Sequence, residues 1–133
     1  MQDYPQVALD FMNRDHAEFV ALRDQLLGLL SSKAHTAKVD TLLDELLEHT
    51  RRHFAEEERL MQETRFPPYR MHKEEHDNVL TDMSAQIKRW KQGRDAAALR
   101  DWLDHNVGDW FVNHVRTMDL VTAGFIAMKQ KAG

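Results

Sequence analysis

The sequence predicts an all-α protein folded as an up-down-up-down four-helix bundle, and three observations carry that expectation. Strand signals are nearly absent, apolar residues recur at steps of three and four, and the helix breakers are few, with 5 glycines and 3 prolines in 133 residues. Those breakers stand where punctuation is needed: Gly28 near one helix end, Pro67-Pro68 in a turn, and Gly93 after Trp90-Lys91-Gln92. Four amphipathic stretches joined by short loops bury their apolar stripes most simply against one another.

The first helix is expected over about residues 10 to 31, with Met12, Phe19, Val20, Leu26, Leu27 and Leu30 on one side and His16 among them. The second, about 38 to 64, runs Val39, Leu42 and Leu46, then His53 and Glu57, then Leu60 and Met61, so polar residues continue an apolar stripe. In the third, about 69 to 92, His72 and His76 lead into Val79, Leu80, Met83, Ile87 and Trp90. The fourth, about 95 to 130, carries Leu99, Leu103, Val107, Trp110, His114, Met118, Val121 and Phe125. The apolar period passes through Asn106-Val107-Gly108-Asp109 without slipping, so one helix is expected there, with a kink near Gly108 as the weak point. The three tryptophans, Trp90, Trp102 and Trp110, are expected in the core, Trp110 also within reach of the polar positions.

Length and composition narrow the function. One domain, residues 1–133, suits a chain of this size. The 18 basic and 22 acidic residues give a net charge of -4 with no basic block, so nucleic acid is not an expected partner. Cysteine is missing, which excludes a disulfide framework, a thiolate metal site and a Cys nucleophile. The opening MQDYPQVALDFMNRD holds no run of signal-peptide length, and no later segment approaches the roughly 20 apolar residues of a membrane span. The expected address is the cytoplasm, with no membrane partner. No nucleophile-base pair or phosphate-cradling glycine loop is visible, so an enzyme of acid-base type is not expected.

Seven residues remain that an apolar bundle does not explain: His16, His53, Glu57, His72, His76, His114 and Asp119. Residues four apart share a helix face, so His53 with Glu57 and His72 with His76 each offer two donors to one place. A charged Glu57 inside an apolar stripe is costly unless a cation answers it. Seven donors exceed one tetrahedral site, and two metals sharing bridging carboxylates account for the number. Nitrogen and oxygen donors without thiolate suit iron, manganese, zinc or copper, and iron is the expected metal. A surplus of histidine over carboxylate separates this set from the Glu-x-x-His arrangement of ferritin-like bundles. Asp119 fits worst, because five residues from His114 is about 140° around a regular helix. Periodicity alone turns it to solvent; a reach across the helix groove or a π-bulge would bring it back.

The motifs resemble those of the hemerythrin family, in particular its single-domain bacterial members, over nearly the whole chain. His53-Phe54-Ala55-Glu56-Glu57-Glu58 with Leu60-Met61 is similar to the family's HF-x-x-EE-x-x-M segment. His72-Lys73-Glu74-Glu75-His76 resembles its H-x-x-EH, Trp110-Phe111-Val112-Asn113-His114 with Asp119 its W-L-x-N-H-x4-D, and Asp15-His16 its first-helix ligand position. The resemblance implies a non-heme, oxo- or hydroxo-bridged di-iron centre in the bundle core. It implies His72, His76 and His114 on one iron, His16 and His53 on the other, and Glu57 and Asp119 bridging. It further implies that the two-histidine iron keeps an open position for O2 or another small ligand such as nitric oxide, azide or peroxide, for oxygen storage, delivery or sensing. The alternatives are a di-iron redox enzyme or an iron-handling protein acting on peroxide, nitric oxide or iron centres. Phe111 stands where the family usually has Leu against the O2 pocket, and the larger ring is expected to narrow it.

Other polar residues are expected to be bland. His35, in the turn between the first two helices, and His105, about 180° around the helix from His114, should be solvated. His49, one turn before His53, is read either as a partly buried, hydrogen-bonded histidine or as an outer group near the two-histidine metal. Glu56, Glu58, Lys73, Glu74 and Glu75 are assigned to solvated faces. In the absence of metal, burial is expected to raise the pKa of Glu57 and Asp119 and lower those of the imidazoles.

Overall fold

In the computed structural model, which describes residues 1–32 and 36–132, apolar stripes fold four helical rods around one axis. The expectation for His35 falls outside the described residues. Helices α1 (Asp10–Leu30), α2 (Thr36–Glu63) and α3 (Tyr69–Gly93) lie close to their expected limits. The fourth rod, α4, covers residues 96–132 without leaving helical backbone and is built in five pieces. Ordinary α-helix over Ala96–Asp101, Gly108–His114 and Leu120–Ala132 alternates with π-helical turns at Trp102–Val107 and Val115–Asp119. No strand occurs among the described residues, and no helix there is long and apolar enough to cross a membrane.

Local chemistry explains the ends. After α2, Arg65 takes the left-handed conformation, φ 57°, and the Phe66 N–H reaches back to the Met61 carbonyl at 2.9 Å, a helix-terminating hydrogen bond that precedes Pro67-Pro68. Helix α3 runs through Gly93, and the left-handed residue is Arg94, φ 53°, whose guanidinium grips Asp40 of α2 at 2.6 Å. Helix α4 opens on Asp95, whose carboxylate accepts the Ala98 N–H at 3.0 Å.

The first π turn replaces the expected kink at Gly108, where the backbone stays helical at φ -62°, ψ -49°. A π turn breaks the ordinary ladder of hydrogen bonds. Here Arg23 of α1, only 2% exposed, helps to satisfy two of its carbonyls. Its Nε donates to Leu103 O at 2.8 Å, and its Nη2 donates to Asp104 O at 3.2 Å and Asp104 Oδ1 at 3.1 Å. Gly108 leaves room for that guanidinium, since a Cβ there would lie 3.0 Å from Nη2.

The second π turn changes which residues face inward. Leu99, Leu103, Val107 and His114 are buried as expected, but beyond it the buried set is Asp119, Thr122, Ala123 and Ile126. Met118, Val121 and Phe125 were expected there, and Val121 is in fact 59% exposed. The extra residue in the widened turn moves the inward stripe on by one position.

The main core gathers Met12, Phe19, Leu26, Leu43, Leu46 and Leu103 with their neighbours, and a smaller cluster of Leu60, Met61, Phe66 and Ile126 closes the other end. Along α2 the polar pair His53 and Glu57 lies between the two. An N-terminal arm folds over this level: Asn13 accepts from Val7 N at 2.8 Å and donates to Val7 O at 2.9 Å, and Tyr4 sets its ring edge-on to Phe111, 5.0 Å between centroids.

Candidate metal centre

All seven expected donors converge between those apolar clusters, and none is more than 9% exposed. They form two groups, each with donor atoms within 4.8 Å of one another: Glu57, His72, His76 and His114, and beside it His16, His53 and Asp119. Helix α1 supplies His16, α2 His53 and Glu57, α3 His72 and His76, and α4 His114 and Asp119. The second π turn lies between the last two. It brings Asp119, 2% exposed, inward where a regular helix would have turned it out.

Each carboxylate straddles the groups. Glu57 Oε2 lies 3.0 Å from His53 Nε2, while Oε1 lies 2.9 Å from His72 Nε2 and 3.7 Å from His76 Nε2. Asp119 Oδ2 lies 2.9 Å from His16 Nε2, and Oδ1 lies 3.0 Å from His114 Nε2 and 3.4 Å from His72 Nε2. Despite these distances, both oxygens of Glu57, Asp119 Oδ1 and the Nε2 atoms of His72, His76 and His114 have no hydrogen-bond partner of acceptable geometry. Buried polar atoms that crowd together without bonding are what a bound cation would satisfy.

The opposite ring nitrogens set the tautomers. His53 Nδ1 meets Asp15 Oδ2 at 2.8 Å, His72 Nδ1 meets Thr122 Oγ1 at 2.9 Å, His76 Nδ1 meets Glu58 Oε2 at 2.8 Å, and His114 Nδ1 meets Glu75. In the neutral imidazole, donation from Nδ1 leaves each Nε2 with its lone pair directed inward, the form a metal requires. Glu58 and Glu75 were expected on solvated faces, and these contacts correct that reading. Thr122 was missed altogether; the π turn hides it from any search at helical period.

The electrostatics also depart from expectation. Burial disfavours a proton on His53, but the Asp15 and Glu57 carboxylates outweigh it and lift its pKa to about 10. His114 is likewise carried to about 10 against burial by Asp119 and Glu75. His72 is raised too, against burial, by Asp119 and Glu57. Burial and mutual repulsion would raise the two carboxylates, yet His53 and His72 hold Glu57 below its ordinary value, and His114, His16 and His72 hold Asp119 well below. His76 follows the expected direction, lowered by burial. Opposite charges at contact distance outweigh desolvation.

On the His16 and His53 side lies a cavity of about 20 Å³, walled by Phe54, Trp110, Phe111 and Asp119. Phe111 stacks on Phe19, 4.9 Å between centroids, and stands edge-on to His16 at 5.5 Å. Trp110 lies against the His114 ring at 4.8 Å. His49 lines the same cavity and hydrogen-bonds Glu18 at 3.0 Å, which agrees with the partly buried reading. His105 is exposed and pairs with Asp101 at 3.0 Å.

A helical bundle with two adjoining histidine-carboxylate groups in its core defines a metal-binding class of protein. Residues 7–126 match the model of the hemerythrin HHE cation binding domain, and the chain belongs to the hemerythrin family. It is 35% identical over 113 residues to the bacteriohemerythrin of Aquifex aeolicus, covering 85% of this chain and 86% of that one. With the bacteriohemerythrin of Ralstonia nicotianae it shares 35% identity over 103 residues, 76% of this chain and 74% of the relative. In fold it is similar to the crystal structure of a hemerythrin variant, with a TM-score of 0.79 at 22% identity, over 91% of this chain and 90% of the other.

Proposed function

We propose that this protein binds O2 at a non-heme di-iron centre held by His16, His53, Glu57, His72, His76, His114 and Asp119. His72, His76 and His114 take one ion and His16 and His53 the other. The observation that carries this reading is the straddling of Glu57 and Asp119, each with one oxygen toward either group. The donor set fits the pair, because its unbonded Nε2 and carboxylate oxygens are the atoms two cations would engage.

The iron pair, when bound, supplies the O2 site and the electrons that stabilise the ligand. The chain's own residues select and shelter. His16 and His53 would give their ion one imidazole fewer than the other three histidines give theirs, and the small cavity lies on that side. A space of about 20 Å³ admits one small molecule and little else. Phe54, Trp110 and Phe111 exclude further water, while Asp15, Thr122, Glu58 and Glu75 hold the imidazoles at fixed tilt. O2, azide and nitric oxide are the ligands this space suits, and the cytoplasm is the proposed address.

The test is the absorption spectrum of anaerobically reduced, iron-loaded protein followed on exposure to air. A new band that decays slowly and disappears on deoxygenation supports O2 binding; immediate conversion to a stable diferric spectrum favours redox chemistry instead. Iron content gives a parallel check, falling in His114→Ala and staying at two per chain in His105→Ala.

A further inference from the structure

The small cavity beside His16 and His53 carries polar atoms in its wall that no other part of the protein engages. Leaving the metal donors aside, two of its polar residues are already bonded: Asp15 accepts from His53 Nδ1 at 2.8 Å, and Thr50 Oγ1 donates to Leu46 O at 2.7 Å. Two others are not. His49 Nδ1 and Trp110 Nε1 are buried without a hydrogen-bond partner, each on a ring that lines the cavity.

The contact between His49 and Glu18 decides what the free nitrogen can do. His49 Nε2 lies 3.0 Å from Glu18 Oε2, and because a carboxylate only accepts, a neutral imidazole places its single N–H there. Nδ1, on the other flank of the ring, keeps the lone pair and can only accept. The His49 side chain is 11% exposed and that of Glu18 is 52% exposed, so bulk water reaches the carboxylate and not Nδ1. The indole N–H of Trp110 can only donate. The wall therefore offers one acceptor and one donor, and a buried polar atom left empty is costly.

We propose that His49 is a specificity-determining residue of this cavity: its Nδ1 accepts a hydrogen bond from the occupant, which favours ligands that carry a hydrogen, hydrogen peroxide above all, over hydrogen-free ones such as azide. This role rests on the di-iron centre proposed above and adds a preference to it. Peroxide has an O–H to give and lone pairs to receive, so it satisfies His49 and Trp110 together. Azide has no hydrogen and satisfies the indole alone. Where water holds the cavity at rest, azide also displaces it without replacing its bond to Nδ1, which widens the difference.

The experiment measures azide binding to iron-loaded, diferric protein at about pH 8, above the ordinary histidine range, from the absorption band of the bound anion. Peroxide is measured by its competition for that band in the first moments after mixing. Two variants each keep half of the imidazole. Asn sets its amide oxygen where Nδ1 stood, whereas Gln reaches the place of Nε2 toward Glu18. His49→Gln should lower the affinity for peroxide relative to azide by about tenfold, and His49→Asn should keep most of the wild-type ratio. A ratio unchanged in His49→Gln, or shifted equally in both variants, overturns the proposal. Iron content separates the two failures: loss of the azide band from wild-type protein with its iron in place overturns the di-iron reading itself. Nitrogen NMR of His49 gives a second readout, with a bare Nδ1 and a protonated Nε2 expected; the opposite tautomer overturns the assignment.

Discussion

At residue scale the centre is governed by what stands behind each ligand and what stands over the cavity. Phe111 is held between Phe19, Tyr4 and His16, so its ring has little freedom to move aside. Replacing it by Leu should enlarge the cavity, speed both association and dissociation of azide at the diferric protein, and cost roughly 1–2 kcal/mol in stability. Stopped-flow azide binding checks this, and unchanged rates would mean the ring is not the barrier. Six of the donors were legible in the sequence because polar residues in an apolar stripe demand an explanation; Asp119, which helical period turns outward, was carried only by the resemblance to the family's motif. Glu58 and Glu75 were not legible, since each sits in a run of acids where a solvated face is the ordinary outcome. Their one signal was adjacency: Glu58 follows Glu57, and Glu75 precedes His76.

At the scale of the element, α4 departs from the regular period that the other three helices keep. The stripe through Leu99, Leu103 and Val107 could be read directly; the one through Met118, Val121 and Phe125 was off by a single residue because a widened turn leaves no mark in composition. Its partner on α1 was equally hidden, as an arginine in an apolar stripe looks like a surface residue until the carbonyls it serves are known. Arg23→Ala should lower unfolding free energy by about 2–4 kcal/mol, since buried carbonyls lose charged donors and a cavity opens. Arg23→Lys should recover only part of it, lacking the planar fork. A urea titration with unchanged slope is the measurement; a loss under about 0.5 kcal/mol would show that water serves those carbonyls as well.

For the whole molecule, the bundle encloses a charged layer between two apolar ones, and its stability depends on what neutralises that layer. Cations that bind only the folded chain stabilise it by about 4 kcal/mol at a thousandfold excess over Kd, so chelation should lower Tm markedly. The pH dependence has a definite sign. His53 and His114 have folded pKa values of about 10 against an ordinary 6.5, so in metal-free protein their contribution is complete below 6.5 and is lost as pH rises toward 10. Metal competes with those same protons and binds better as they leave. The Tm difference between loaded and metal-free protein should therefore widen from pH 6.5 to 9; a difference that narrows would contradict the assignment of these imidazoles as ligands. The bundle itself was legible from its stripes alone, whereas this balance of charge depends on distances no spacing rule supplies.

The widened turn between His114 and Asp119 makes the reading frame of α4 unusually forgiving at one place. Excising Thr117, an exposed residue within it, would leave four steps from the histidine to the aspartate, which an ordinary α-helix already places on one side. Shortened protein should therefore still take up two irons, while the loss of Val112 from the regular turn before it should rotate His114 away and abolish uptake. A mid-helix deletion that spares a centre built from both sides of the cut would mark that residue as a spacer the rod can surrender.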